Sequence, residues 1–142
     1  ILITSSMLTN YKVLEEVGFW NEDLFLDLCD WDLIWRFRQT GYVCVETNVS
    51  VIRHTLGVGE KKAGPIKVKE SMPVREYYQT RDCLKLVRKS YTPGKYRLRF
   101  IAQISIRPIL LLLLLQNRKE RARYIIHGII DFRKGINGEY SV

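Results

Sequence analysis

A chain of 142 residues, 46% of them hydrophobic, has room for one domain of ordinary size and is too apolar for a disordered segment. Its three cysteines, Cys29, Cys44 and Cys83, are odd in number and form no CxxC pair, which argues against a disulfide framework or a cysteine zinc site and for a reducing compartment. The formal charge of +8 is lopsided: residues 1–73 carry ten Asp and Glu against eight Lys and Arg, residues 74–142 five against fifteen, so the second half suits an anionic surface.

Residues 1–6 are β-prone and read as a strand; without an initiator Met or a basic leader they look like the interior of a longer chain. Leu8, Tyr11, Leu14 and Val17 recur near helical spacing and predict a helix over 8–17, stopped by Gly18. Residues 23–27 read as extended or irregular. A second helix is expected from Asp30 as N-cap, with Leu33, Ile34 and Phe37 on its apolar face and Gly41 closing it. The β-branched runs 43–45 and 49–54 predict strands, and the Gly- and Lys-rich segment 57–72 a mobile surface loop. Pro73 marks a boundary between a region 1–72 and a basic helical region 73–142. Helices are expected over 73–90, 95–117 and 118–134, with Thr92-Pro93-Gly94 as a break and Gly135 as the last stop.

The run Leu110–Leu115 is too short to span a bilayer: the charge-free apolar stretch reaches only from Pro108 to Leu115, where a span needs about 20 apolar residues. A helix lying in a membrane interface, apolar on one side and basic on the other, competes with a buried hairpin helix whose basic face is solvated. Nucleic-acid binding is suggested by charge alone and has no motif behind it, since the cations accompany leucines rather than exposed aromatics.

Chemistry concentrates in residues 18–42. Five carboxylates, Glu22, Asp23, Asp27, Asp30 and Asp32, stand beside Trp20, Trp31 and Trp35, and acids among aromatics point to a cleft rather than a core. Asp32 and Arg36 are four apart on the expected helix and should form an ion pair. An Asp at a helix start is by default a cap, and a lone His such as His54 at a strand end is by default structural. Trp31, beside Asp30, is a candidate for the site and Trp35 for packing.

Taken together, Val13-Leu14-Glu15-Glu16-Val17-Gly18, then Phe19-Trp20-Asn21-Glu22-Asp23-Leu24-Phe25-Leu26-Asp27, then Asp30-Trp31-Asp32-Leu33 with Arg36, Arg38, Gly41 and Tyr42, and a run ending in His54, resemble family 2 inverting glycosyltransferases. The likeness is strongest toward bacterial rhamnosyltransferases of surface polysaccharide synthesis, and it covers residues 1–57. Arg75-Glu76-Tyr77-Tyr78-Gln79-Thr80-Arg81-Asp82 is similar to a Tyr-Tyr-x-x-Arg-Asn segment of those enzymes.

The resemblance implies an α/β fold, the C-terminal part of a GT-A, Rossmann-like domain, followed by a helical appendage. It implies transfer of a sugar, rhamnose in the first instance, from a nucleotide-sugar to a lipid-linked saccharide. Asp30 matches the general base, in a Cys29-Asp30 pair where many relatives carry Glu-Asp. Asp27 and Trp31 fall on the acceptor side, and Arg81 is a candidate for the acceptor's pyrophosphate, with helix pairing as its competing role. Ser5 and Ser6 match a Ser-Gly that lies close to the donor sugar. His54 matches a ligand of a divalent metal, Mg or Mn, whose Asp-x-Asp partner is not found in this chain. The expected setting is cytoplasmic and peripheral at the inner membrane face, with an anionic membrane surface as partner, no nucleic acid, and the oligomeric state left open. The fragment alone is expected to be inactive. A non-catalytic membrane-binding or assembly module is the alternative.

Overall fold

The computed structural model describes residues 7–47, 49, 51, 60–63, 66–69 and 71–141. Six helices and one hairpin follow in order: α1 (Tyr11–Val17), α2 (Cys29–Gln39), β1 (Glu60–Ala63), β2 (Ile66–Lys69), α3 (Val74–Arg88), α4 (Gly94–Ser105), α5 (Arg107–Leu114) and α6 (Arg118–Lys134). The strands pair antiparallel, Glu60 opposite Lys69 and Ala63 opposite Ile66.

This architecture overturns the α/β expectation. A Rossmann-like domain needs parallel strands joined by helical crossovers. Among the described residues the only sheet is the two-stranded antiparallel hairpin, and the rest of the ordered structure is helical. Residues 43–45, expected as a strand, pair with no strand among the described residues, and Val43 and Val45 are exposed. β-branched residues favour an extended backbone, yet a strand exists only where a neighbour supplies its hydrogen bonds. The expected strand over 49–54 lies mostly outside the described residues, as does that over 1–6. The expected surface loop 57–72 contains the hairpin instead.

Local signals set the helix ends. The Asn10 side chain accepts the Lys12 N–H at 2.9 Å and starts α1. Gly18 takes φ +88° at its end, which glycine adopts without a steric penalty. Gly135, at φ +71°, ends α6 in the same way. The single helix expected over 95–117 is two. The break falls at Ile106, where Pro108 enters the first turn of α5 and Arg107 turns inward to Glu76.

α3 is the central element, packed most extensively on α6 and then on α4. Gly128 lets α6 come this close: a Cβ there would stand 2.7 Å from the Tyr77 carbonyl oxygen. The apolar core joins the chain on both sides of Pro73, with Leu24, Leu28 and Trp35 packed on Cys83, Leu86 and Phe100. Glu76 is a buried junction between helices. Its carboxylate accepts from Arg107 of α5, from Arg121 of α6 at 3.2 Å and from the Ser71 hydroxyl at 2.9 Å. One buried anion is thereby matched by two cations, the condition under which a charge tolerates removal from water.

Candidate active site

The acidic stretch runs along α3 as an irregular segment of turns and bends, and residues 23, 25 and 27 are stitched to one side of that helix. Lys85 donates to the Asp23 carbonyl at 2.6 Å, the Phe25 N–H donates to Asp82 at 2.9 Å, and Asp27 accepts from Gln79 at 2.9 Å and from both arms of Arg75, one at 2.7 Å. Asp23 and Phe25 meet the helix through backbone groups and Asp27 through its carboxylate. Positions 75, 79, 82 and 85 recur at helical spacing on the other partner. Between them, Leu24 and Leu28 enter the core, while Leu26 is half-exposed in the left-handed region at φ +75°. The C-terminal tail closes over the same place. Asn137 accepts from Lys85 at 2.6 Å and donates to Asp23 at 2.5 Å.

α2 then starts two residues ahead of expectation. Leu28 is its N-cap, with no side-chain cap bond, so Asp30 is not the cap but lies in the first helical turn, half-buried. A carboxylate there is favoured by the positive end of the helix dipole. Asp32, one position past Trp31, is fully buried. It accepts from Arg36 at 2.8 Å, the pair its spacing predicts, and from the Tyr91 hydroxyl at 2.5 Å. Arg36 also donates to the Val17 carbonyl at 2.8 Å and to that of Phe19, so it fastens the end of α1 to α2. Burial, and then the bond to Asp32, raise the Tyr91 phenol above its ordinary value.

The remaining candidates are placed as follows. Trp31 is half-buried in an aromatic cluster, edge-on to Trp35 at 5.8 Å and to Tyr96 at 5.1 Å, with the Arg99 guanidinium 5.2 Å above its ring. Asp27 has both carboxylate oxygens occupied by Arg75 and Gln79. Arg81 is wholly buried. It donates to Asp82 at 2.8 Å and to the Tyr77 hydroxyl at 3.1 Å, and it lies over the rings of Tyr77 and Tyr78. Its Nη2 makes no hydrogen bond with the described protein atoms, and the two ring faces offset part of that loss. Burial raises the Asp82 carboxyl against the opposing pull of Arg81 and the Phe25 N–H. Ser5, Ser6 and His54 lie outside the described residues.

The Tyr-Tyr-x-x-Arg segment thus acquires a physical meaning: two rings and an acid enclose a buried guanidinium. Each tyrosine is also tied outward, Tyr77 donating to Asp131 at 2.8 Å and Tyr78 accepting the Tyr140 N–H at 3.0 Å. Sequence reasoning missed this enclosure, the Glu76 junction and the stitching of the acidic segment. The usable signal was the row of polar residues at 75, 79, 82 and 85, which a solvated helix face imitates. A concavity lined by residues 114–120 lies at the turn from α5 to α6 and includes none of the acidic stretch. Among the described residues, which do not include His54, no three His, Cys, Asp or Glu side chains come together to hold a metal ion. Among the same residues no helix is long and apolar enough to cross a membrane.

No family model matches the chain, and no solved structure does. Among curated proteins it is similar to a sugar transferase. The match is to the dTDP-rhamnosyl transferase RfbF of Shigella flexneri, 28% identical over 140 residues, taking in 97% of this chain and 47% of that protein. The chain therefore spans about half the length of the curated relative it matches.

Proposed function

We propose that this chain forms the acceptor-side part of an inverting glycosyltransferase that moves rhamnose from a dTDP-linked donor to a lipid-linked saccharide in surface polysaccharide synthesis. The observation that carries the reading is the likeness to a dTDP-rhamnosyl transferase along almost the whole chain. The packing of the acidic stretch supports it. Asp27 ties the segment to Arg75 of α3, Lys85 of α3 holds the Asp23 carbonyl, and Asp32 ties α2 to Tyr91 just beyond α3, which fixes the backbone on both sides of Asp30. Preorganisation of this kind is what a reacting carboxylate requires.

In this reading Asp30 is the general base. It takes the proton of the acceptor hydroxyl as that oxygen bonds to the anomeric carbon from the face opposite the diphosphate, and the bond to the diphosphate breaks in the same step. The products are the inverted glycoside, the free nucleoside diphosphate and a protonated Asp30 that returns its proton to water. The described residues provide no donor set for a divalent ion, and no step here runs through one. The test is Asp30→Asn in the full-length enzyme. Turnover should fall by about 10²–10⁴-fold with donor affinity retained. Near-normal turnover would rule Asp30 out as the base.

A further inference from the structure

α4 and α5 run almost without interruption from Gly94 to Leu114, and they are two-sided. Phe100, Leu111 and Leu115 face inward and are buried. Leu98, Ile101, Ile106, Ile109 and Leu113 face outward and are between 49% and 70% exposed. Their spacing of three to five residues keeps them on one side of the helical path. Five large aliphatic side chains in one exposed row exceed the scattered apolar residues of an ordinary surface.

The charges around this row say what covers it. No Asp or Glu occurs between Asp82 and Glu120. The cations on α4 and just beyond α5 are Lys95, Arg97, Arg99, Arg118 and Lys119, of which all but Arg97 are exposed. Arg107, by contrast, is turned inward to Glu76. A second copy of the chain would bring the same cations against these and be repelled. An anionic lipid surface satisfies both halves of the pattern, acyl chains taking the aliphatic row and phosphate headgroups the cations. The joint at Ile106 allows two short helices, neither able to span a bilayer, to lie along it.

We infer that the outward face of α4 and α5 is the surface by which the protein lies on an anionic membrane. The inference builds on the lipid-linked acceptor proposed above and names the face that brings the enzyme to it.

The test is co-sedimentation of the 142-residue chain with vesicles of phosphatidylcholine alone or mixed with phosphatidylglycerol. The chain should pellet with the mixed vesicles at least about tenfold more strongly than with phosphatidylcholine, and raised salt should weaken this. Ile109→Asp and, separately, Leu98→Asp should each reduce binding about tenfold with helix content retained by circular dichroism. Lys95→Glu combined with Lys119→Glu, which leaves the aliphatic row intact, should remove the preference for phosphatidylglycerol. Unchanged binding in these variants overturns the proposal, as does equal binding to both vesicles. Absence of binding by the parent chain also overturns it, whether or not sedimentation velocity shows a dimer that Ile109→Asp dissociates. The two readings separate cleanly: Asp30→Asn should leave vesicle binding unchanged, and Ile109→Asp should leave turnover on a water-soluble acceptor unchanged.

Discussion

Around α3, acids and bases are matched inside the chain: Asp27 with Arg75, Asp82 with Arg81, Glu76 with Arg107 and Arg121. On the outward side of α4 and α5, five aliphatic side chains stand in solvent beside cations, with no carboxylate in either helix. Both regions are rich in arginine, so composition alone does not separate them. What separates them is where the opposite charge lies. A charge matched within the fold holds elements together, and an exposed one is open to a partner.

The largest effect should come from breaking the matched side. Arg81→Ala leaves the buried Asp82 with only the Phe25 N–H and Lys85 nearby, and loss of one partner of a buried pair costs about 3–5 kcal/mol. Urea unfolding measures this, and a loss under about 1 kcal/mol would show that the pairing around α3 is not what holds the acidic segment.

Tyr91→Phe should follow at about 1.5–3 kcal/mol, because it removes a hydrogen bond to a buried carboxylate. Its signature lies in pH. The Tyr91 phenol is raised above 10.0, so near that pH the unfolded chain loses this proton while the folded chain keeps it, and stability falls as pH rises. Burial pushes Tyr77 to about 12, Cys29 to about 11 and Cys83 to about 12, and all act in the same direction. Stability should therefore decline from about pH 9, the ordinary thiol value, toward pH 12, and the decline should be shallower in Tyr91→Phe. Thermal midpoints across that window give the slope. The smallest effect belongs to the other region: Ile109→Asp should change unfolding free energy by no more than about 0.5 kcal/mol, since its side chain is already in water.

The same distinction explains what could be read in advance. α1, α3 and α6 were legible from periodicity and from Gly18 and Gly135, and Asp32 with Arg36 from spacing alone, because each rests on interactions within a few residues. The split of α4 from α5 was not. Pro108 is visible, but Arg107 turns inward because of Glu76, thirty-one residues earlier. The α/β expectation failed at residues 43–45, where an extended backbone was foreseen and a hydrogen-bonded neighbour was assumed. Asp30 was placed near the start of α2 but two positions too early, since Leu28 takes the cap without any side-chain bond to announce it. Asp27 and Arg81 were singled out by chemistry; the salt bridge on Asp27 joins positions 48 apart, and Arg81 holds its neighbour Asp82, whose other oxygen takes the distant Phe25 N–H.

Lys85 has a consequence for motion. One ammonium group holds the Asp23 carbonyl, the Asn137 side chain and, at 3.3 Å, the Ile136 carbonyl, while Asn137 itself grips Asp23. The loop before α2 and the tail after α6 cannot leave α3 independently without stranding a shared partner. They form one cooperative opening unit, so whatever lifts the tail also loosens the approach to Asp30.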